Sequence, residues 1–494
     1  MIAPPLFPLL SSIIFLPLLG AIVIAFVNEI NLAKKIAVIT ASLELILTLL
    51  ILFSFNNLNG DFQWQEKYSW ISTLHADFML GVDGISVLFL PMSALLTLIT
   101  IVASWNSVQN LTRLHFALLL VLESVTLGVF TALDFLLFFL FWEATLPPIF
   151  FLIGLWGIGA QRRAAALKYT LTMLCGGVPL LFAIIMLAIN HAEKMGGDLS
   201  FSFPLLLQTP MDNHTQTIVF LLLVLGFAVK APLAPFHTWL PTVVMEAPTQ
   251  LTALLTGLKL GAFGLLRFAL PLAPNAAHQY GWLLALLGAV TLVYAALIAL
   301  QQSNLRQLLA YLSISHVGLV IVGIASLNAQ AVQGAVFQLL NFSIIASCLM
   351  LIAGFMQQRL GSTELIHLGG LAKVVPRLTV LFFLFALASI GIPLSSGFPA
   401  ELLLLIGVLK NHLGLGIIGL CGAILGAAAI LLFMRKAFWA AILHEPVKQL
   451  QDLRPRELWL LTVPVLLVLL LGVCPALVLD TTNETVQVWL SRFR

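Results

Sequence analysis

Charge is what this chain has least of. Only 9% of its 494 residues are charged and 61% are hydrophobic, against about 25% charged in ordinary soluble proteins. That shortage excludes a soluble globular domain. A net charge of +3 with no basic run offers a nucleic acid nothing to bind. Cysteine is scarce as well: Cys175, Cys348, Cys421 and Cys474 lie singly inside apolar runs. None has disulfide or metal-ligand spacing, so all four are expected to be buried small hydrophobes. Also missing are a GxGxxG turn opening a helix, a Walker loop, a CxxC pair and histidines at haem spacing. No cofactor, no metal and no redox chemistry are therefore expected on this chain. Nor is a cleavable signal peptide: "SSIIFLPLLGAIVIAFV" lacks a basic flank before it and leads straight into further apolar runs.

What is present, end to end, is apolar runs of transmembrane length. They predict fourteen spans, at 5–27, 32–54, 83–104, 114–132, 134–156, 165–189, 215–239, 247–271, 279–300, 304–325, 329–355, 378–409, 413–439 and 457–478. The fold expected is all-α and integral to the membrane, in contact with lipid along its length. The longest connections, 55–82 and 190–214, are polar and read as loops. An even span count puts both termini on one side. Of the 23 lysines and arginines, fourteen fall in the connections of the other side. Lys67, Lys194, Lys410, Arg492 and Arg494 share the termini's side, and Lys168, Lys230, Lys259 and Arg267 lie within spans. Positively charged connections stay in the cytoplasm, so both termini are expected outside, in a bacterial inner (plasma) membrane.

Two spans are interrupted. The seventh carries "KAPLAP" with Pro232, and the twelfth carries "GIPLSSGFPAE" with Pro393. Proline removes a backbone donor and breaks the helix, which lipid tolerates only where protein or water satisfies the freed groups. Each break falls in the fourth span of a five-span block. The expected division is therefore 1–113 for the first three helices, inverted repeats at 114–271 and 272–439, and a C-terminal loop and helix at 440–494. Broken helices in corresponding positions of inverted repeats mark an ion or substrate path.

An unpaired charge at the bilayer centre costs roughly 2.5–3.5 kcal/mol, so the few ionisable groups at that depth are informative. Glu143 needs a cation or a proton, as half of a structural ion pair or as a relay element. Lys230 at the first break and Lys259 in mid-span are each either snorkelling side chains or groups that release protons because they are held out of water. His316 is either a satisfied hydrogen-bonder or a relay group, and Glu401 mirrors Lys230 at the second break. His237 and Glu246 follow the first break. They serve either to satisfy loose backbone or as a proton entrance. Lys168 and Arg267 are expected to snorkel; Glu44 and Glu123 are unassigned, and packing-face residues bonded to a neighbour are one reading of them.

Several stretches carry a family resemblance: "LGVDGISVLFLPMSALL" (81–97), "LDFLLFFLFWEATLPPIFFLIGLWG" (133–157), "KAPLAPFHTWLP" with "EAPT" (230–249), "GLKLGAFGLLRF" (257–268), "NLRQLLAYLSISHVGLV" (304–320) and "GAVFQLL" (334–340). The chain resembles the antiporter-like, proton-pumping membrane subunits of respiratory complex I, of the M type (mitochondrial chain 4), which are related to Mrp antiporter subunits. The resemblance implies fourteen helices with broken seventh and twelfth members. It also implies neighbouring antiporter-like subunits as partners, in a complex whose redox reaction lies elsewhere. By the same resemblance Glu143 pairs with Lys230, Lys259 is the central relay lysine, His316 a relay histidine, and Glu401 the last group of the outer half-channel. Related assemblies of the Mrp, hydrogenase-linked or inorganic-carbon-uptake kind, or a non-pumping scaffold, are the alternatives. The chain departs from the family pattern at Thr242 and Val244, where an acid and a histidine are usual. Phe342 replaces a histidine and Leu394 a glycine. Two residues fewer precede Lys259, which turns a helix by about 200° and misplaces the lysine unless the helix is broken there.

Overall fold

The computed structural model describes residues 8–442 and 444–493. Residues 5–7 of the first expected span, and Arg494, lie outside the described residues. The helices, numbered along the chain, are α1 (Leu9–Phe26), α2 (Ile30–Phe53), α3 (Ser86–Ser104), α4 (Thr112–Thr131), α5 (Phe135–Trp156) and α6 (Arg162–Met195). Around the first break stand α7 (Asn213–Lys230), α8 (Trp239–Glu246), α9 (Thr249–Gly257) and α10 (Leu260–Gly264). Then come α11 (Pro274–Leu300), α12 (Leu305–Ala325) and α13 (Ala329–Leu360), the two pieces α14 (Pro376–Ser389) and α15 (Gly397–Asn411), and α16 (Leu413–Trp439), α17 (Pro455–Val473) and α18 (Ala476–Ser491). Among the described residues thirteen helices are long and apolar enough to cross a membrane. With the α14–α15 pair, which is broken and so falls short piecewise, they match the fourteen spans expected.

Burial sorts the helices into centre and rim. The most apolar window of α13 is 100% buried and that of α2 only 33%. On α2 the covered positions, Ala33, Ala37, Ala41, Glu44 and Thr48, recur every three or four residues, one stripe of the helix. The rest of its surface is apolar and open, as a lipid-facing side must be. Cys348 is buried in the central α13, but Cys175, Cys421 and Cys474 are exposed on rim helices. This corrects the expectation that all four are enclosed: lipid substitutes for a core on the rim. Helix starts follow local chemistry. Asp134, Asn304 and Asn328 each accept backbone N–H bonds at 2.9 Å from the first turn of α5, α12 and α13.

Three regions differ from the sequence reading. The 55–82 connection contains an antiparallel hairpin of β1 (Gln63–Ile71) and β2 (Ala76–Val82). The alternating aromatics Trp64, Tyr68 and Trp70 are its period-two signal. The last span stops at Val473, because Pro475 starts a separate helix, α18, which packs back on the molecule through a Trp489 indole bond to the Leu266 carbonyl. Arg267 does not snorkel: it is 7% exposed and bonded to Asp83. Apolar rings of Phe62 and Phe203 cover its guanidinium, so the charge is neutralised locally and does not reach for water.

Both expected breaks are present. After Lys230 the chain leaves the helix, and the Val229 carbonyl is recovered by the Trp239 indole at 2.9 Å. Ala234 N–H finds Thr291 Oγ1 at 2.9 Å. The span then resumes as α8 up to Glu246, so residues 240–246 are helical and do not form the connection expected there. At the second break Gly391 and Leu394 have φ of +75° and +74°. Leu394 thus holds a left-handed conformation that costs a branched residue about 1–3 kcal/mol, with a side chain 69% exposed that repays little. Leu394→Gly is expected to stabilise the protein by about 1 kcal/mol, read as a raised thermal midpoint in detergent. A lowered midpoint would show that the leucine makes a contact outweighing its strain.

Candidate functional site

The shortened stretch before Lys259 settles the geometry of the eighth span. α9 ends at Gly257, Leu258 is extended, Lys259 lies off the helical conformation, and α10 begins at Leu260. A π-helical turn, Leu265–Ala269, follows. The helix is therefore broken at the lysine itself. Its ammonium group is buried and donates to Ser313 Oγ at 2.6 Å.

Lys230 and Lys259, both at helix breaks, line one cavity of about 40 Å³ together with Pro232, Thr126, Thr145, Tyr169 and Thr256. That volume accommodates on the order of three waters, and the hydroxyl and ammonium groups supply the polar partners such waters need. Lys230 Nζ donates to Thr145 Oγ1 at 2.9 Å and to the Trp142 carbonyl at 3.0 Å, and lies 3.9 Å over the Trp142 ring. It makes no salt bridge with Glu143. Both Glu143 oxygens lack a hydrogen-bond partner, beside Gly177 of α6. The pair that the resemblance implies is thus open here: Lys230 bonds Trp142 and Thr145, on either side of Glu143 in the chain, and is turned into the cavity.

Beyond Lys259 the polar groups continue along α12 and α13. Ser313 and His316 are one turn apart on α12. His316 Nδ1 stands 3.6 Å from Glu401 Oε1, and Gln338 Nε2 reaches both, at 3.2 and 2.9 Å. Phe342 stacks on His316 with centroids 3.8 Å apart. Lys230, Lys259, His316 and Glu401 are thereby joined in succession, by the shared cavity, by Ser313 on the helix of His316, and by Gln338.

The supporting residues divide. His237 is buried edge-on to Tyr294 at 5.2 Å, with Nδ1 unpartnered. Lys168 binds the Thr238 carbonyl and Thr242 Oγ1 beside it. Glu246 lies apart from the cavity. Its carboxylate accepts from Gln161 N–H at 2.8 Å and its carbonyl from Gly159 N–H at 3.1 Å, tying down the α5–α6 connection. Pro393 sits in the second break. Glu44 and Glu123, on α2 and α4, are both buried without hydrogen-bond partners. The groups to which the sequence reading gave no role are neutral: Thr145, Ser313, Gln338, Asn341 and Ser396. Gln338 and Asn341, an amide pair three residues apart in the mostly apolar middle of α13, were the available signal.

Comparison with known proteins identifies the family. The family described as NADH:quinone oxidoreductase/Mrp antiporter, TM, matches residues 132–426. NADH-quinone oxidoreductase subunit M of Rickettsia conorii is 35% identical over 98% of this chain and 99% of its own length. The subunit M of Rhodobacter capsulatus is 37% identical over 97% and 95%. In the solved structure of respiratory complex I from Thermus thermophilus with bound NADH, one chain superposes with a TM-score of 0.89 at 29% identity, covering 98% of this chain and 100% of that one. This multi-pass membrane protein belongs to the NADH:quinone oxidoreductase/Mrp antiporter transmembrane family.

Proposed function

We propose that the chain is the proton-translocating, M-type subunit of a complex I-type NADH:quinone oxidoreductase. It sits among other antiporter-like subunits in a bacterial inner membrane with both termini outside, and it carries no cofactor of its own. Supporting this reading is one observation above all: two lysines at helix breaks, Lys259 buried and Lys230 half-buried, share a cavity, and polar side chains extend it to His316 and Glu401. A lysine out of water gives up its proton readily, and an approaching carboxylate takes that readiness away. Closing and opening of Glu143 against Lys230 would therefore load and unload the lysine, passing protons to Lys259, then His316, then Glu401. The two five-helix blocks, 114–271 and 272–439, with a break in the fourth span of each, suit alternating access from the two sides.

A non-pumping scaffold is the second reading, favoured by Phe342, whose ring fills space against His316 where the family has a titratable group. The deciding experiment is proton pumping by vesicles containing the whole complex, Lys230→Ala and Glu143→Gln against wild type at matched redox turnover. Loss of pumping in both variants is expected. Pumping at the wild-type ratio in both would transfer the case to the scaffold.

A further inference from the structure

Three buried polar side chains, Ser396, Asn341 and Gln338, form one directed chain of hydrogen bonds that ends on Glu401 and His316. Ser396 Oγ, in the break between α14 and α15, donates to Asn341 Oδ1 at 2.5 Å. Asn341 Nδ2 donates to Gln338 Oε1 at 3.0 Å. Gln338 Nε2 then donates twice, to Glu401 Oε1 at 2.9 Å and to His316 Nδ1 at 3.2 Å. Ser396, Asn341 and Gln338 are fully buried, where an unmade hydrogen bond is most costly. The direction follows from the end partner. An ionised carboxylate only accepts, so Gln338 presents its amino group to Glu401 and its carbonyl to Asn341. Asn341 must answer with its own amino group, which leaves its carbonyl for the serine hydroxyl. Turning either amide over sets donor against donor or acceptor against acceptor.

The arrangement has a direct effect on the last proton step. His316 Nδ1 and Glu401 Oε1 are 3.6 Å apart, too far for a hydrogen bond, and the Gln338 amino group occupies a lone pair on each. A proton passes from imidazolium to carboxylate only when the Nδ1–H bond breaks as the Oε1–H bond forms, leaving a neutral imidazole and a neutral carboxylic acid. The amide must first withdraw. Phe342 covers the face of the imidazole and closes that side to a detour.

Building on the proton-relay reading, we propose that Gln338 is a gate on the His316-to-Glu401 step, held shut by Asn341 and Ser396 from the helix break. Gln338 is a positioning residue; it carries no proton. Ser396 also donates its backbone N–H to the Val468 carbonyl of α17 at 3.0 Å, so the gate answers to the packing of α17 against the break. When the break shifts, Ser396 releases Asn341, Gln338 loses the partner that fixes its orientation, and the step opens.

The test is proton leak through vesicles containing the whole complex, under an imposed pH gradient with no electron donor. Ser396→Ala removes the bond to Asn341; Asn341→Leu, nearly isosteric, removes that bond and the one on Gln338 Oε1. Each is expected to raise the leak about fivefold or more, the population shift that at least one lost hydrogen bond brings, with uncoupled redox turnover unchanged. Ser396→Thr, which keeps the hydroxyl, is expected to stay at the wild-type leak. Adding Lys230→Ala is expected to abolish the extra leak, which a mere packing defect would not do. Wild-type leak in both link variants, a Ser396→Thr leak equal to that of Ser396→Ala, or extra leak surviving Lys230→Ala would overturn the gate. The underlying relay reading fails separately, if Lys230→Ala alone leaves coupled pumping intact.

Discussion

Lys259→Ala is expected to cut coupled proton translocation about 100-fold or more, the scale of effect when a positioned proton-transfer group is removed. Three observations combine at this residue. It occupies a helix break, so its backbone is not constrained to a helical face. It lines the cavity that also holds Lys230. It hydrogen-bonds Ser313, one turn from His316. Alanine leaves no relay group between Lys230 and His316. Lys259→Arg is the informative companion. Arginine keeps the positive charge but does not release its proton under physiological conditions. If Lys259 served only as a fixed charge, arginine would restore translocation. If it carries protons, arginine is expected to be as defective as alanine. Vesicle acidification per NADH oxidised, compared across the three proteins, gives the answer.

The second large effect concerns folding. Asp83→Ala is expected to destabilise the protein by about 3–5 kcal/mol, because it strands a buried cation. Asp83 has two functions: Oδ1 accepts the Ser86 N–H at 2.9 Å at the start of α3, and Oδ2 holds the Arg267 guanidinium. The pair joins α3 to the π-helical turn after α10, beside the Trp489 anchor of α18. Losing it loosens the frame on which Lys259 is hung. The double variant Asp83→Leu with Arg267→Met removes both charges, and most of the stability is expected to return. Membrane-inserted protein level and thermal midpoint distinguish the two. Equal losses in the single and double variants would mean that shape, not the stranded charge, sets the cost.

Leu394→Gly, the gate variants and the Lys230 and Glu143 exchanges fit the same frame. Each touches a place where a helix is broken or a polar chain crosses the centre, and the rim helices contribute none.

The sequence by itself determined the class of protein, the positions of the apolar spans, and the two proline-marked breaks. The reason is that bilayer thickness and the cost of unsatisfied backbone act on contiguous residues. For the same reason the isolated charges Glu143, Lys230, Lys259, His316 and Glu401 stood out before any coordinates. The sequence did not determine the third break. A two-residue shortening before Lys259 allowed either a rotated helix or an interrupted one, and only packing of α9 and α10 against their neighbours decides between them. Partner choice was equally invisible. Arg267 was given to the interface because a lone arginine near a span end commonly snorkels, yet Asp83, far away in the chain, meets it in the interior. Gln338, Asn341 and Ser396 were given no role because only ionisable groups were weighed at membrane depth, and a neutral amide or hydroxyl does not show its partner in the sequence. Their importance comes from the close approach of α13 to the α14–α15 break, a contact between residues 55 apart in the chain. Tertiary structure alone makes that contact, and with it the directed chain of hydrogen bonds that ends on Glu401.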